Sequence, residues 1–428
     1  MCQYRIRGGN RIAGQVSVGG AKNAVLPILA AVCLNKGESE IHNCPRIADT
    51  FLSIDILRHI GCRVDFTGNT LSVDAAGLCE IDIPAKWVGK MRSSILFMGA
   101  MLGRAGEVNI ANPGGCDIGE RSIGYHLEGL KAMGTEIVAD DGMLHCKGAL
   151  KGADIHLQTA SVGATENLML AGVLAKGRTI ISNAAKEPEI VDLARFLQGM
   201  GAKIHGAGTE KIIIDGVSRL TNTIHCVMPD RIVAGTYLVA AAMTGGEITL
   251  EGAQPQDMVP VTTRLAEMGC EIGYNANSLH LQGPKRLKAL PYLETAEYPG
   301  FPTDMQAQFV AALSIAEGHS TVKEVIFDSR YAHADELKLM GADIEVHNIA
   351  EHGELKKNTT VFEIYGKPHL TGTVLTAMDL RGGAALVLAG LAADGETVVK
   401  NAEYVERGYE CIEKDLFSVG GDIKLEEV

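Results

Sequence analysis

The hydrophobic positions of this chain repeat a pattern of short alternating strands, each entered through a glycine turn. Six segments share the pattern: KGESEIHN from Lys36, AGEVNIAN from Ala105, KGRTIISN from Lys176, GGEITLEG from Gly245, EGHSTVKE from Glu317 and DGETVVKN from Asp394. Alternation of apolar and polar residues predicts a strand with one buried face. The chain is therefore predicted to contain six copies of one unit.

A second repeated signal follows each of these strands: a helix that ends in an apolar residue and a glycine, and then another strand. These helix ends read IGCRV at Ile60, MGTEI at Met133, MGAKI at Met200, MGCEI at Met268, MGADI at Met340 and VGGDI at Val419. The period is about 70 residues, which is longer than that of a solenoid repeat. Each unit is predicted to be a small α/β subdomain.

An apolar helix with a polar first turn precedes each glycine turn. The openings are Ala21-Lys22-Asn23, Lys90-Met91-Arg92, Thr165-Glu166-Asn167, Pro229-Asp230-Arg231, Thr303-Asp304-Met305 and Asp379-Leu380-Arg381. The helix bodies, such as 23–34 and 381–393, are apolar on nearly every side, which predicts burial. Because the first turn of a helix leaves N–H groups unpaired and carries partial positive charge, these ends are expected to favour anions.

Six units divide most simply into two domains of three, since 428 residues exceed one ordinary domain. We place the first domain at 20–228 and the second at 1–19 and 229–428. Residues 4–18 predict two short strands around a turn at Gly8. This strand pair is expected to complete the last unit, which has no following hairpin of its own.

Composition favours an intracellular enzyme with a large core, because 46% of residues are hydrophobic and 21% are charged. No apolar stretch reaches the roughly 20 residues that span a bilayer, and no signal segment opens the chain, so a cytoplasmic location is expected. A net charge of −13 without a long basic stripe argues against nucleic-acid binding. The ten cysteines form no CxxC pair and no Cys/His cluster, which argues against a zinc site and a disulfide framework.

One cysteine differs in its surroundings from the others. Cys116 lies in a stretch with three glycines and a proline, NPGGCDIGER, and most of the other cysteines occur in apolar helices or strands. A thiol in such a loop near Arg121 can be exposed, with its ionised form favoured by the cation. A loop cysteine without a role is the alternative.

Several segments along the chain match one known family. They are GGAKNA at 19–24, MRSSI at 91–95, PGGCDIGER at 113–121, SVGATEN at 161–167, EPEIVD at 187–192, MPDR at 228–231, FPTDMQAQF at 301–309, DLR at 379–381 and RGYE at 407–410. On these segments the chain resembles the UDP-N-acetylglucosamine enolpyruvyl transferases, or 1-carboxyvinyltransferases, of the EPSP synthase-like family. The resemblance covers essentially the whole chain.

The resemblance implies a fold and a reaction. The fold is a two-domain inside-out α/β barrel, each domain built from three βαβαββ repeats around buried helices, with substrates in the cleft between the domains. The reaction transfers the enolpyruvyl group of phosphoenolpyruvate to the 3-hydroxyl of UDP-N-acetylglucosamine and releases phosphate, the first committed step toward peptidoglycan. No metal or organic cofactor is implied, and the sequence leaves the oligomeric state open.

Two residues are expected to move protons in this reaction. The resemblance implies that Cys116 protonates the methylene carbon or attacks the enol carbon, and that fosfomycin alkylates its thiol. It implies that Asp304 takes the proton of the sugar hydroxyl. Because an Asp at the start of a helix is a common N-cap, capping is the structural alternative for Asp304.

The resemblance also assigns the groups that bind substrate. Lys22, Arg121 and Arg407 are expected near the phosphate, and Arg330 and Arg381 near the anionic groups. Lys22 is expected to be catalytic as well, because its ammonium group offers a compact charge and a proton. For each arginine, a surface ion pair is the alternative. The other implied positions are Asn23, Arg92, Ser122, Ile123, Gly124, Tyr125, Thr159, Ser161, Val162 and Ile326 for binding, and Glu187, Asp230 and Arg231 for support.

The stretch expected to approach the uracil departs from the family pattern. Residues 122–126 read SIGYH, where the family usually has Pro, a β-branched residue, Asp, Leu and His, and Thr159 stands where some members have Lys. Gly124 offers no side-chain acceptor, so either backbone groups replace it or the chain accepts another hydroxyl donor. The alternatives are a paralogue with a different acceptor, a nonenzymatic sensor of sugar nucleotides or phosphoenolpyruvate, and a shikimate-type transferase, against which the PGGC loop argues.

Overall fold

The computed structural model describes residues 2–113, 123–350 and 358–427. They form two compact units. The first unit contains the described residues of 20–228, and the second contains those of 2–19 and 229–427. In the described part of the chain, no helix is both long and apolar enough to cross a membrane.

The chain begins with two strands of the second unit, β1 (Cys2–Arg7) and β2 (Ala13–Ser17). The elements of the first unit then follow in order: α1 (Lys22–Ala31), β3 (Glu38–His42), α2 (Ala48–His59), β4 (Arg63–Thr67), β5 (Thr70–Asp74), β6 (Asp82–Ile83), α3 (Ala85–Val88), α4 (Leu96–Ala105), β7 (Glu107–Ala111), α5 (Gly124–Ala132), β8 (Glu136–Asp140), β9 (Met143–Lys147), β10 (Asp154–His156), α6 (Val162–Gly172), β11 (Arg178–Ser182), α7 (Pro188–Gly199), β12 (Lys203–His205), β13 (Lys211–Asp215) and β14 (Thr223–Cys226). Two 3₁₀ turns, Val32–Leu34 and Arg92–Ile95, flank α1 and α4.

The second unit repeats this order of elements. It contains α8 (Arg231–Met243), β15 (Glu247–Glu251), α9 (Pro255–Glu267), β16 (Glu271–Asn275), β17 (Ser278–Gln282), β18 (Tyr292–Glu294), the 3₁₀ turn Thr303–Met305, α10 (Gln306–Leu313), β19 (His319–Glu324), α11 (Ala332–Leu339), β20 (Asp343–Ala350), β21 (Asn358–Tyr365), β22 (Val374–Thr376), α12 (Leu380–Ala392), β23 (Glu396–Lys400), α13 (Glu403–Glu406), α14 (Ile412–Ser418) and β24 (Asp422–Glu427).

The strands of the described residues form six four-stranded sheets with one topology. Their orders are β14-β3-β5-β4, β6-β7-β9-β8 and β10-β11-β13-β12 in the first unit, and β2-β15-β17-β16, β18-β19-β21-β20 and β22-β23-β1-β24 in the second. In every sheet the first two strands are parallel and the remaining neighbours are antiparallel. The six predicted repeats thus correspond to six copies of one sheet.

The two N-terminal strands do not stay together as the sequence predicted. β1 lies between β23 and β24 and completes the last sheet, as expected. β2 instead pairs in parallel with β15, in the first sheet of the second unit. The prediction that both strands complete the last unit is therefore wrong for β2. The reason is that each sheet has a parallel edge strand: β2 fills this place beside β15, as β14 does beside β3.

An asparagine that recurs at the end of the repeated strand has a structural cause. Asn43, Asn183 and Asn401 have positive φ angles of 52°, 54° and 58°, a region that asparagine tolerates better than most residues. Each side-chain amide donates to the carbonyl just beyond the parallel edge strand, at Val227, Leu157 and Ala377. The repeated asparagine therefore turns the chain and holds the edge strand in place.

The apolar helices form the two cores. Helices α1, α4 and α6 of the first unit and α8, α10 and α12 of the second are buried along most of their residues. Small residues allow this packing: a Cβ at Gly99 of α4 would lie 2.3 Å from the backbone oxygen of Asn167 in α6. The predicted helix at 23–34 is an α-helix that continues as a 3₁₀ turn, and the one predicted at 381–393 spans Leu380–Ala392.

Candidate functional site

Asp304 lies at the centre of a charged cluster in the second unit. Its Oδ1 accepts a hydrogen bond from Arg330 Nη2 at 2.9 Å, and its Oδ2 accepts one from Arg381 Nη2 at 3.3 Å. Asp304 belongs to the 3₁₀ turn Thr303–Met305, Arg330 precedes α11, and Arg381 is the second residue of α12. Three residues predicted for the site, each from a different segment, are therefore in direct contact.

Asp304 is not an N-cap residue, in contrast to Asp230. The N-cap residues of the 3₁₀ turn and of α10 are Pro302 and Met305, and Asp304 lies in the first turn instead. Asp230 does cap its helix, because its Oδ1 accepts from the backbone N–H groups of Ile232 and Val233 at 2.8 and 3.0 Å. A carboxylate at this place satisfies N–H groups that the helix itself leaves unpaired.

Lys22 is held at the start of α1 by a carboxylate from α2. Its Nζ lies 2.8 Å from Asp49 Oδ2, and both side chains are almost fully buried. A buried ammonium group requires such a partner, because burial without one is costly. Asp49 was not among the residues predicted for the site. Asp49 lies in the first turn of α2, and Glu189 lies in the first turn of the equivalent helix of the third repeat, α7. This repeated acidic position was the sequence signal that could have identified Asp49.

A buried hydrogen-bond network lies beside Arg92 in the first unit. Asn167 Oδ1 accepts from Gly99 N at 2.7 Å, so its Nδ2 donates to Ile95 O at 3.2 Å and to His126 Nδ1 at 3.0 Å. Since Nδ1 accepts, the proton of the neutral His126 ring lies on Nε2. Burial lowers the pKa of His126 to about 3, and the positive charge of Arg92 acts in the same direction.

Tyr125 and Thr159, two residues from the stretch with altered sequence, are in contact. The Tyr125 hydroxyl lies 3.2 Å from Thr159 Oγ1. Two further predicted positions lie at helix starts: Ser161 caps α6 by accepting from Ala164 N, and Gly124 is the first residue of α5. This region therefore has the hydroxyl groups of Tyr125 and Thr159 where the family pattern has a leucine and, in some members, a lysine, while Gly124 replaces the acidic residue.

Glu187 lies in an acidic cluster with Glu166 and Glu189. Glu187 is the N-cap residue of α7, although its side chain makes no capping hydrogen bond, and Glu189 is in the first turn of that helix. Burial raises the pKa of Glu166 well above its usual range, and the charges of Glu189 and Glu187 raise it further. The Glu166 carboxyl is therefore harder to ionise than that of an exposed glutamate.

The remaining predicted residues are distributed over both units. Arg231 is the first residue of α8, and its guanidinium lies 5.6 Å from the centre of the Tyr298 ring. The other described positions are Asn23 in the first turn of α1, Ile123 at the N-cap of α5, Val162 at the start of α6, Ile326 after β19 and Arg407 after α13. Cys116, Arg121 and Ser122 lie outside the described residues.

Some residues around the cluster were missed by the sequence analysis. Glu324 lies at the end of β19. One hydrogen bond links it to the 3₁₀ turn that contains Asp304, because its Oε2 accepts from Thr303 Oγ1 at 2.7 Å. His333 in α11 is buried, and neither ring nitrogen has a hydrogen-bond partner among the described residues. Neither residue lies in a segment that matched the family, so nothing local distinguished them. In residues 2–113, 123–350 and 358–427, no group of His, Cys, Asp and Glu side chains is arranged to hold a metal ion.

The protein is expected to lose stability on acidification through His333. Burial lowers the pKa of His333 to about 4; Asp379 and Asp335 oppose this shift, and Arg330 adds to it. In the unfolded chain His333 binds a proton below its ordinary pKa of about 6.5, whereas in the folded chain it does so only near pH 4. Between these two pH values the free energy of unfolding therefore falls, by up to about 3 kcal/mol. Denaturant unfolding at pH 7 and at pH 4.5 measures it.

The substitution His333→Phe, which cannot be protonated, is expected to remove this part of the acid loss. His347→Gln is the control, because His347 is an exposed histidine of the same unit. An equal loss of stability between the two pH values in wild type and His333→Phe would contradict the prediction.

Comparison with known proteins places the chain in a family. The model of the EPSP synthase family, described as 3-phosphoshikimate 1-carboxyvinyltransferase, matches residues 6–416. The chain is 51% identical over 424 residues to UDP-N-acetylglucosamine 1-carboxyvinyltransferase 2 of Caldanaerobacter subterraneus subsp. tengcongensis, covering 99% of each chain. The chain belongs to the EPSP synthase family. The prediction made from the matching segments is confirmed.

Other members of the EPSP synthase family support the same conclusion. UDP-N-acetylglucosamine 1-carboxyvinyltransferase 1 of Symbiobacterium thermophilum is 46% identical over 428 residues, covering 98% of this chain and 94% of the relative. The crystal structure of the enolpyruvyl transferase NikO from Streptomyces tendae matches with a TM-score of 0.86 at 25% identity, covering 100% of this chain and 99% of that one. An EPSP synthase structure from Acinetobacter baumannii matches over 100% of both chains with a TM-score of 0.72 at 20% identity, which bears on the fold alone. The predicted fold class is confirmed.

Proposed function

We propose that this chain transfers the enolpyruvyl group of phosphoenolpyruvate to the 3-hydroxyl of UDP-N-acetylglucosamine and releases phosphate, the first committed step toward peptidoglycan. One observation carries the choice of acceptor: the 51% identity, over 99% of each chain, to a relative named UDP-N-acetylglucosamine 1-carboxyvinyltransferase. The reaction needs a base for the sugar proton, an acid for the methylene carbon and cations for the phosphate and the carboxylate of phosphoenolpyruvate.

Asp304 fits the role of the base. Both of its carboxylate oxygens accept from guanidinium groups, which can only donate, so neither oxygen needs a proton in this arrangement. The Asp304 side chain is 23% exposed, whereas those of Arg330 and Arg381 are 5% and 2% exposed. The carboxylate is thus the accessible member of the cluster, and we assign to it the proton of the sugar 3-hydroxyl.

Several cations are assigned to the anionic substrate. Arg330 and Arg381 are buried beside the candidate base, so their charges are already ordered before substrate binds. Lys22, ordered by Asp49, is assigned to the phosphate together with Arg121 and Arg407. Ordered cations stabilise developing charge without reorganising during the reaction, which is the main source of electrostatic catalysis.

Cys116 is assigned the role of the acid, on the resemblance of the PGGC segment. Wild-type protein is expected to release phosphate from phosphoenolpyruvate only when UDP-N-acetylglucosamine is present, and Cys116→Ala is expected to lower this rate at least about 100-fold, the contribution of a positioned general acid. A phosphate assay with and without the sugar nucleotide measures both effects. Fosfomycin added with the sugar nucleotide is expected to modify Cys116, detected by peptide mass.

Cys79→Ala is the control for this experiment, because Cys79 is an exposed cysteine of the first unit. Release that does not depend on the sugar nucleotide would rule out the proposed acceptor. Unchanged activity of Cys116→Ala, or a Cys116 that fosfomycin leaves unmodified, would rule out the role of the thiol.

A further inference from the structure

Glu324 is a fully buried carboxylate beside the candidate base. It is the last residue of β19 and has no exposed surface. Its Oε1 accepts from Thr295 Oγ1 at 2.9 Å, from Ile326 N at 2.7 Å and from Phe327 N at 3.2 Å. Its Oε2 accepts from Thr303 Oγ1 at 2.7 Å. A carboxylate removed from water needs several donors of this kind, and Glu324 has four.

The bond between Glu324 and Thr303 has one possible direction. Thr303 Oγ1 also lies 2.8 Å from Arg330 Nη1. A guanidinium can only donate and a carboxylate can only accept, whereas a hydroxyl has one proton and can do both. Thr303 therefore accepts from Arg330 and gives its proton to Glu324.

This hydroxyl connects the buried carboxylate to the candidate base. Arg330 uses Nη1 for Thr303 and Nη2 for Asp304, two neighbouring residues, so both contacts together fix the plane of its guanidinium. The Oε1 atom of Glu324 also holds the backbone at 326 and 327, which leads to Arg330, and the Phe327 ring lies 5.2 Å from the guanidinium. One side chain thus orders both segments that meet at Asp304.

We propose that Glu324 is a positioning residue of the reaction: through Thr303 it sets the orientation of Arg330 against Asp304. This inference rests on the proposed function, since it assigns the ordered pair to enolpyruvyl transfer. All of these residues lie in the second unit, and the hydrogen bonds of Glu324 described above go to Thr295, Thr303, Ile326 and Phe327.

The substitution Glu324→Gln tests the proposal with little change of volume. If the amide oxygen stays with Thr295 and the two backbone N–H groups, the amide NH₂ faces Thr303, whose oxygen then meets two donors and has no acceptor for its own proton. If the amide turns over, the NH₂ faces the N–H groups of Ile326 and Phe327. The first orientation leaves the Thr303 proton without an acceptor, and the second sets a donor against the two backbone N–H groups. In both cases the Thr303–Arg330 contact is expected to be displaced.

The expected kinetic result is a split between kcat and KM. A displaced Arg330 misplaces the base, so kcat is expected to fall by about 10- to 100-fold, while KM for UDP-N-acetylglucosamine changes less than about threefold. Thr303→Val, which removes the hydroxyl, is expected to lower kcat by a similar factor. Combining the two substitutions is expected to cost clearly less than the sum of the two single losses, because both act on the same Thr303–Arg330 contact.

Glu363→Gln is the matched control, since Glu363 in β21 of the same sheet also accepts from a threonine hydroxyl, that of Thr321, at 2.9 Å. Its kcat is expected to equal that of wild type. Additive losses in the double variant, or a Glu324→Gln enzyme with wild-type kcat, would overturn the proposal.

A crystal structure of Glu324→Gln separates this proposal from the proposed function. In the variant, Arg330 Nη1 is expected to lie beyond hydrogen-bond reach of Thr303 Oγ1, more than about 3.5 Å away. If Arg330 keeps its contacts with Thr303 and Asp304, the positioning role is wrong, whatever the activity. If wild type releases no phosphate with UDP-N-acetylglucosamine, the proposed function fails, and the geometry of the variant still decides the role of Glu324.

Discussion

Replacing Asp304 with asparagine is expected to lower kcat/KM for enolpyruvyl transfer by about 1,000-fold. A positioned general base contributes about 10²- to 10⁴-fold, and an amide cannot take the proton of the sugar hydroxyl. The amide would also turn an NH₂ group toward Arg330 or Arg381, each of which now donates to one carboxylate oxygen. Steady-state phosphate release, measured at saturating sugar nucleotide over a range of phosphoenolpyruvate concentrations, gives the loss in kcat/KM.

The control is Asp335→Asn, in which an exposed carboxylate of the same unit loses its ion pair with Lys338. Its activity is expected to match wild type, because surface pairs contribute little. A loss of less than tenfold in Asp304→Asn would show that Asp304 is not the base. In that case its two arginine contacts would have only a structural role.

Replacing Asn167 with leucine is expected to destabilise the first unit by about 3–5 kcal/mol. The side chain is fully buried, and its removal leaves Gly99 N, Ile95 O and His126 Nδ1 without their partner. Each buried polar group left unsatisfied costs about 1–3 kcal/mol. For a unit of this size, the loss corresponds to a decrease in Tm on the order of 10 °C.

Calorimetry or denaturant unfolding measures this effect, and Asn275→Leu is the control. Asn275 is an exposed residue whose amide makes one long hydrogen bond, 3.4 Å to Ser278 Oγ. Its replacement is expected to change stability by less than about 0.5 kcal/mol. Equal unfolding midpoints for Asn167→Leu and wild type would mean that the network does not hold α4, α5 and α6 together.

Local pattern was enough to predict the repeat. Strand alternation, the glycine turn and the apolar helix are all set by neighbouring residues, so six copies could be recognised, and the family segments fixed the fold class. The recurrent asparagine was visible too, although its cause, a positive φ and a bond to the edge strand, needed the structure.

Local sequence pattern could not predict contacts between residues that are distant in the sequence. The parallel pairing of β2 with β15 joins strands more than 200 residues apart, and nothing in residues 13–17 indicates that partner. Glu324 and Thr303 are 21 residues apart, and Lys22 finds Asp49 in another helix. The roles of Asp304, Arg330 and Arg381 came from the resemblance, and their mutual contact became visible only in the fold.

The position of β1 has a consequence for synthesis on the ribosome. The three sheets in the described part of the first unit use only the twelve strands β3 to β14, so all of them are available once β14 has been made. β1 pairs with β24, where Arg7 lies opposite Asp422, so it must wait until almost the whole chain has emerged. At 5–20 residues per second the wait is roughly 20 to 80 seconds, during which the backbone groups of β1 are open to other partners. Nascent chains are therefore expected to carry a folded first unit while β1 is still unpaired.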